Sequence, residues 1–250
     1  MNHSIATIIE NKKIADSLFE MKLDMGENTE GIRPGQFINI KLAGKYLRRP
    51  ISICDWNENT ITIIYKVVGS GTKQMSEEKT GETLDLLWPL GNGFTLQENG
   101  AQHTPILIGG GAGVPPMFGL CRKLIEAGQK PIVILGFRSE EDAYYKEQFE
   151  ALGTNPIITT EDGSMGIKGF VTDALRPCEA QQARIFACGP EAMLKAIDQT
   201  APEDVPGQFS FEERMGCGFG ACMGCSCQTK YGAKRICKDG PVLERSEVIW

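Results

Sequence analysis

The stretch Thr104-Pro105-Ile106-Leu107-Ile108-Gly109-Gly110-Gly111-Ala112-Gly113-Val114-Pro115-Pro116-Met117 decides the fold of the second half of the chain. An unbroken apolar run ends in a cluster of glycines, and a segment with helical spacing, Val114 to Ala127, follows and stops at Gly128. A continuous rather than alternating apolar run suits a parallel strand buried on both faces. The same texture returns at Ile132-Val133-Ile134-Leu135. From there the pattern predicts a strand over 131–137, a helix over about 140–151 and a strand over about 155–160. A helix near 171–176, a strand over 184–188 and a helix over 190–199 complete the series. Such alternation specifies a doubly wound α/β domain with a parallel sheet. Glycines at the strand-to-helix turn let a pyrophosphate approach the backbone at a helix N-terminus. Pro115 and Pro116 stand in the first turn, where a missing N–H costs little. The loop is not G-x-G-x-x-G, and Phe137-Arg138-Ser139 rather than an acidic residue closes the next strand. On its own, a tight turn explains it nearly as well as a nucleotide does.

Upstream the texture is different. Ile38, Ile40 and Leu42 alternate with polar residues, as do Ile61, Ile63 and Tyr65, which is the period of half-buried strands. Arg33-Pro34-Gly35, Ala43-Gly44, Asn57-Glu58-Asn59 and Pro89-Leu90-Gly91-Asn92-Gly93 punctuate them. Short strands at this spacing predict an antiparallel β-barrel, interrupted by one helix at Thr72–Glu78 after Gly69-Ser70-Gly71. The polar run 97–102 reads as the linker to the α/β domain, and Ala201 to Gly207 as a connector into the tail.

The tail carries the sharpest chemistry. Five of the nine cysteines, Cys217, Cys222, Cys225, Cys227 and Cys237, fall within residues 217–237. An odd count without an export signal argues against a disulfide framework. The spacing C-x4-C-x2-C with a later cysteine is that of plant-type [2Fe–2S] ferredoxins, so Cys217, Cys222, Cys225 and Cys237 are the expected ligands. Gly216, Gly218, Gly220 and Gly224 let the backbone turn tightly and bring N–H groups to the sulfurs. The competing reading, a four-cysteine zinc site in a binding module, calls for two short paired spacings, which are absent here. Cys227 is expected to be a bystander, and Cys54, Cys121 and Cys178 small apolar core residues.

Composition narrows the function. An excess of acidic over basic side chains (32 against 26) argues against nucleic acid as a partner. No apolar run approaches the roughly 20 residues of a membrane span. Met1-Asn2-His3-Ser4-Ile5 shows no signal-peptide pattern, so a cytoplasmic location is expected. With only His3 and His103, serine or cysteine nucleophile machinery built on histidine is not expected.

Three further segments tie these parts together: Arg48-Arg49-Pro50-Ile51-Ser52, Gly69-Ser70-Gly71-Thr72 and Ala187-Cys188-Gly189-Pro190-Glu191. In this order residues 1 to about 200 resemble the ferredoxin–NADP reductase superfamily. With the cysteine tail, Leu47 to Ser52, Glu161-Asp162-Gly163-Ser164 and Ile236 to Val242, the whole chain resembles the electron-transfer subunits of type B dihydroorotate dehydrogenases. Ile51 stands where the superfamily usually has an aromatic residue, and Arg-Pro-Ile-Ser is the form this narrower family uses.

The resemblance implies an FAD-binding β-barrel over 1–100, an NAD-binding α/β domain over 101–205 and a [2Fe–2S] subdomain over 206–250. Arg49 would meet the FAD pyrophosphate, with Pro50 and Ile51 beside it, and Ser52 would lie near the flavin. Ile64, Tyr65 and Lys66 would line the same cofactor, and Gly71 and Thr72 would offer it a helix N-terminus. Gly110, Gly111 and Gly113, with Cys188, Gly189 and Pro190, would receive NAD. Arg138 and Ser139 leave NADP open as an alternative. The implied partner is an FMN-containing catalytic subunit that oxidises dihydroorotate to orotate, in a heterotetramer with two copies of each chain. Phe219, Ala221 and Met223 would rim the cluster as its docking surface or simply cover it. The alternative within the same architecture is the reductase subunit of an NAD(P)H:ferredoxin or sulfide-linked complex.

Overall fold

The computed structural model describes residues 1–96, 103–175 and 182–250. The expected linker 97–102 and Cys178 lie outside the described residues. Six strands close an antiparallel barrel: β1 (Asn2–Ala15), β2 (Leu18–Asp24), β3 (Phe37–Lys41), β4 (Arg49–Trp56), β5 (Thr60–Lys66) and β6 (Thr83–Leu90), in the order β1-β2-β5-β4-β3-β6. Helix α1 (Ser70–Glu77) follows β5. The alternation read in the sequence aims Ile38, Ile40, Ile61 and Ile63 inward, where they are fully buried around Trp88, Met21 and Leu86.

The outer side of β3 departs from a half-solvated strand. Asn39 is only 1% exposed, because the cysteine segment lies across it. Periodicity assigns faces correctly but says nothing about what covers the second one.

The second body is a seven-stranded sheet: β7 (Thr104–Gly110), β8 (Ile132–Phe137), β9 (Ile157–Thr160), β10 (Ile167–Lys168), β11 (Ala183–Cys188), β12 (Gly207–Ser210) and β15 (Val242–Glu244). Its order is β10-β9-β8-β7-β11-β12-β15, all parallel except the last pair. Helices α2 (Val114–Glu126), α3 (Lys146–Ala151), α4 (Val171–Leu175) and α5 (Glu191–Thr200) cover it. The helix expected over about 140–151 is shorter. A single tight turn at Glu140–Asp142 is followed by Tyr145 at φ +67°, and the α-helix begins only at Lys146. Tyr144 and Tyr145 are instead tucked into the core, and their burial outweighs continued helix.

The tail is less separate than its composition suggests. Gly207–Ser210 and Val242–Glu244 extend the α/β sheet, so the sheet runs across the expected 205/206 boundary. Between them, β13 (Ser226–Thr229) and β14 (Gly232–Arg235) form a hairpin.

Two clamps fix the bodies to each other. Arg122 on α2 donates to the Asp55 carboxylate at 2.7 Å and the Trp56 carbonyl at 2.8 Å, and lies over the Trp56 ring. Helix α2 sits so close to β4 that a Cβ on Gly119 would stand 2.7 Å from the Cys54 carbonyl oxygen. Asn92, after β6, grips the tail from both sides: it donates to the carbonyls of Asp239 and Val242 and accepts from the Val242 N–H.

Candidate functional site

The strand order turns around at β7. From it the chain runs outward through β8, β9 and β10 and returns on the other side as β11, which makes the carboxyl ends of β7 and β11 a topological switch point. A cleft of about 550 Å³ opens there. Its floor is Gly110, Gly111 and Ala112 with Pro190 and Met193, and Lys66 with Leu18 of the barrel form the opposite wall.

The glycines of the loop are not equivalent. A Cβ on Gly113 would stand 2.0 Å from the Cys188 carbonyl oxygen, and one on Gly110 would stand 2.3 Å from the Met193 sulfur. Gly113 therefore serves the packing of α2 onto β11, and neither it nor Cys188 lines the cleft. Gly111 has φ +51° and open space where a side chain would be, so it is the position at which a ligand can approach the backbone. Its carbonyl is held by the buried Tyr144 hydroxyl at 2.7 Å.

Arg138, at the rim, is already engaged, with its guanidinium on both oxygens of Asp142 at 2.8 and 3.1 Å. Glu161, from the Glu161–Ser164 segment, also lines the cleft, as do Phe170 and Met193, which drew no attention in the sequence because lone residues carry no periodic signal. Cys188, at the end of β11, is fully buried, which pushes its thiol to about 12, with Glu212 adding to the effect. Glu212 keeps exposed surface, yet the packed end of the sheet beneath it desolvates and raises its carboxyl.

On the barrel, the structure brings together residues read from separate motifs. Arg49 on β4 lies across the first turn of α1: a Cβ on Gly71 would stand 2.1 Å from its Nε. The Thr72 hydroxyl accepts from the N–H groups of Val68 and Gly69, so Thr72 shapes the turn with its side chain. A guanidinium beside free N–H groups of a helix N-terminus is a receptor for a phosphate. Arg48 points elsewhere, to the Asp85 carboxylate at 2.8 Å, and holds the barrel together. Pro50, Ile51 and Ser52 continue β4, half-buried, opposite Asn39, Ile38 and Phe37 of β3. Ile64 is buried against the second body, and Tyr65 points into the barrel, where its hydroxyl meets Asn11 at 2.9 Å. Tyr65 can therefore present only its backbone to a cofactor, whereas Lys66 reaches the cleft.

The four expected cysteines come as two pairs. The Cys217 N–H donates to the Cys222 sulfur at 3.4 Å, and the Cys217 sulfur accepts the N–H groups of Ala221 and Cys222 at 3.2 and 3.4 Å. Cys225 pairs with Cys237, whose N–H reaches the Cys225 sulfur at 3.4 Å. Burial pushes the Cys217 thiol up, but the N–H groups of Cys222, Phe219 and Ala221 outweigh it and bring it down to about 6. In the second pair, burial and the neighbouring Cys225 push Cys237 to about 12.

Among the described residues no three His, Cys, Asp or Glu side chains gather into one metal-holding group. A single zinc ion needs four donors about one centre, whereas two pairs of thiolates suit a binuclear cluster. The donors therefore fit [2Fe–2S]. Cys227 lies in the hairpin, half-buried against the core, away from either pair's hydrogen bonds. Phe219 and Met223 are 42% and 56% exposed beside the open Cys222, so they do not close over the loop.

Residues 212–249 match the iron–sulfur cluster binding domain of dihydroorotate dehydrogenase B, and residues 107–199 match the oxidoreductase NAD-binding domain. The chain is 40% identical over its whole length to the dihydroorotate dehydrogenase B (NAD(+)) electron transfer subunit of Geobacillus sp. (strain WCH70), covering 99% of that protein. It is 42% identical to the subunit of the same name from Fusobacterium nucleatum subsp. nucleatum, over 97% of this chain and 96% of that one. A solved structure of an NADH-dependent reduced ferredoxin-NADP oxidoreductase superposes with a TM-score of 0.89 at 31% identity, over 98% of this chain and 90% of that one. The ferredoxin reductase of carbazole 1,9a-dioxygenase shares the fold, with a TM-score of 0.72 at 19% identity over 83% of this chain and 68% of the other. FAD, a [2Fe–2S] cluster and NAD are the cofactor set these likenesses support. With its cysteine pairs, its switch-point cleft and its full-length likeness, the chain belongs to the electron-transfer subunits of dihydroorotate dehydrogenase B.

Proposed function

We propose that this chain passes electrons, derived from dihydroorotate oxidised on a partner subunit that carries FMN, to NAD+. Flavin exchanges electron pairs with a nicotinamide and single electrons with an iron–sulfur cluster, which is why both cofactors belong in one relay. Arg49 and the first turn of α1 hold the FAD pyrophosphate. Pro50, Ile51 and Ser52 and the backbone of Ile64, Tyr65 and Lys66 hold the rest of that cofactor. Gly110, Gly111, Gly189 and Pro190 hold the nicotinamide nucleotide, with Gly113 and Cys188 shaping the floor beneath it. Cys217, Cys222, Cys225 and Cys237 hold the cluster. Three functional units follow, 1–100, 101–205 and 206–250, the third sharing strands with the second.

One observation carries this reading. The cysteine segment lies on β3, whose neighbour β4 bears Arg49 to Ser52, while the barrel wall beside Lys66 faces the glycine loop. Three sites with three different chemistries thus converge on one small barrel. The exposed Phe219 and Met223 beside Cys222 form the surface that meets the catalytic subunit, in a cytoplasmic heterotetramer of two copies of each chain. The 40–42% identity to dihydroorotate dehydrogenase B subunits, against 31% to the ferredoxin-NADP oxidoreductase, favours this assignment over the related complex.

The test compares the purified chain with and without the FMN-containing subunit. Alone it is expected to reduce artificial acceptors with NADH and to leave dihydroorotate untouched. Together they are expected to form orotate with NAD+, at a two-plus-two mass. Dihydroorotate turnover by the chain alone would reject the relay.

A further inference from the structure

Asn39 is out of place in its strand. It sits on the outer face of β3, between Ile38 and Ile40 of the barrel interior, yet it is 1% exposed. Its Nδ2 donates to the carbonyl of Cys217 at 3.1 Å. Its Oδ1 is fully buried and has no hydrogen-bond partner. If the position served packing alone, a leucine of similar shape would fill it without leaving a buried acceptor unpaired. The contact is also too close for an ordinary residue on the other side. Gly218 adopts φ +82°, and a Cβ there would stand 2.3 Å from Asn39 Nδ2.

The peptide plane supplies the consequence. The C=O and N–H of a trans peptide point in opposite directions. With the Cys217 carbonyl drawn onto the barrel by Asn39, the Gly218 N–H points away from the barrel. Hydrogen bonds to the sulfurs and their immediate backbone are among the levers that set the potential of an iron–sulfur cluster. On the barrel side, Asn39 stands opposite Pro50, between Arg49 and Ile51, and its own carbonyl accepts from Arg48 at 3.3 Å.

We propose that Asn39 is a positioning residue for the cluster: it fixes the Cys217–Gly218 peptide from the cofactor side of the barrel and thereby tunes the potential of the iron that Cys217 holds. The inference rests on the cluster assignment made above, and the two are tested separately. Iron and acid-labile sulfide in the wild-type chain report on the cluster itself. The difference between variants and wild type reports on Asn39.

The experiment prepares Asn39→Leu, which keeps the size and loses the donor, and Asn39→Thr, which loses size and keeps a hydroxyl donor. The readouts are the midpoint potential of the cluster and the g-values of its reduced form by electron paramagnetic resonance, with flavin content as the check on an intact barrel. Asn39→Leu is expected to shift the potential to more negative values and to change the g-anisotropy, and Asn39→Thr to move both back toward wild type. A packing role predicts the reverse order, with the leucine variant nearer wild type. That order, or unchanged potential and g-values in both, would overturn the proposal. Should Asn39→Leu fail to accumulate, Asn39→Ala against Asn39→Ser makes the same comparison with smaller side chains.

Discussion

The glycine loop after β7 and the cysteine loop of the tail look alike in the sequence, since each packs four glycines into nine residues or fewer. Physically they differ. In the first, Gly110 and Gly113 have no room for a Cβ, because β11 and α5 press against them, and Gly111 alone faces open space. In the second, Gly218 and Gly220 combine positive φ with close approach, to Asn39 and to the Lys238 side chain, so that the backbone curls around the sulfurs. One loop is held by what lies beneath it, and the other by what it encloses.

The comparison is broken most severely by removing what the second loop encloses. Cys237→Ser is expected to abolish cluster assembly, seen as loss of iron, labile sulfide and the visible absorption of the cluster, while Cys227→Ala retains all three. If loss of Cys227 emptied the site and loss of Cys237 did not, the pairing of Cys225 with Cys237 would be wrong. Next in size is Gly113→Ala. A methyl 2.0 Å from the Cys188 carbonyl oxygen forces α2 off β11, and a loss of about 3 kcal/mol is expected in denaturant unfolding. Gly111→Ala, two residues earlier, has space and meets only the left-handed backbone cost of roughly 1–2 kcal/mol. Its distinctive effect is expected in a raised KM for NADH. Equal destabilisation by the two would erase the distinction between a packing glycine and a ligand-facing one.

The smallest expected effect concerns Glu212. Burial raises its carboxyl in the folded chain, so the unfolded chain gives up this proton more readily. As pH rises through the ordinary glutamate range near about 4.3, that difference works against the fold. Glu212→Gln is therefore expected to be slightly more stable than wild type at pH 8 and no more stable at pH 4, read as the change in thermal midpoint of the cofactor-free chain. A gain at pH 4 that vanishes at pH 8 would contradict the assigned direction.

Much of this was legible without coordinates, and the limits have physical causes. The parallel strands showed as unbroken apolar runs because both their faces are buried, and the barrel strands showed as alternation because one face is always inside. That Cys217, Cys222, Cys225 and Cys237 belong together was legible from spacing, and the fold gathers them as two pairs. What the sequence hid was contact between distant segments. Asn39 reads as a solvated strand residue until the tail, 178 positions away, is seen to cover it. Tyr144 and Tyr145 read as part of a longer helix until their burial breaks it. Arg48 and Arg49 are adjacent and chemically identical, and only the fold separates the one that braces Asp85 from the one that lies on α1.

The central claim is that one polypeptide connects a nicotinamide cleft to an iron–sulfur cluster. Its most direct test is anaerobic titration of the purified chain with NADH, with no other protein present, followed by low-temperature electron paramagnetic resonance. NADH alone is expected to generate the signal of a reduced [2Fe–2S] centre. A cluster that dithionite reduces but NADH does not, in a chain that retains its flavin, would contradict it.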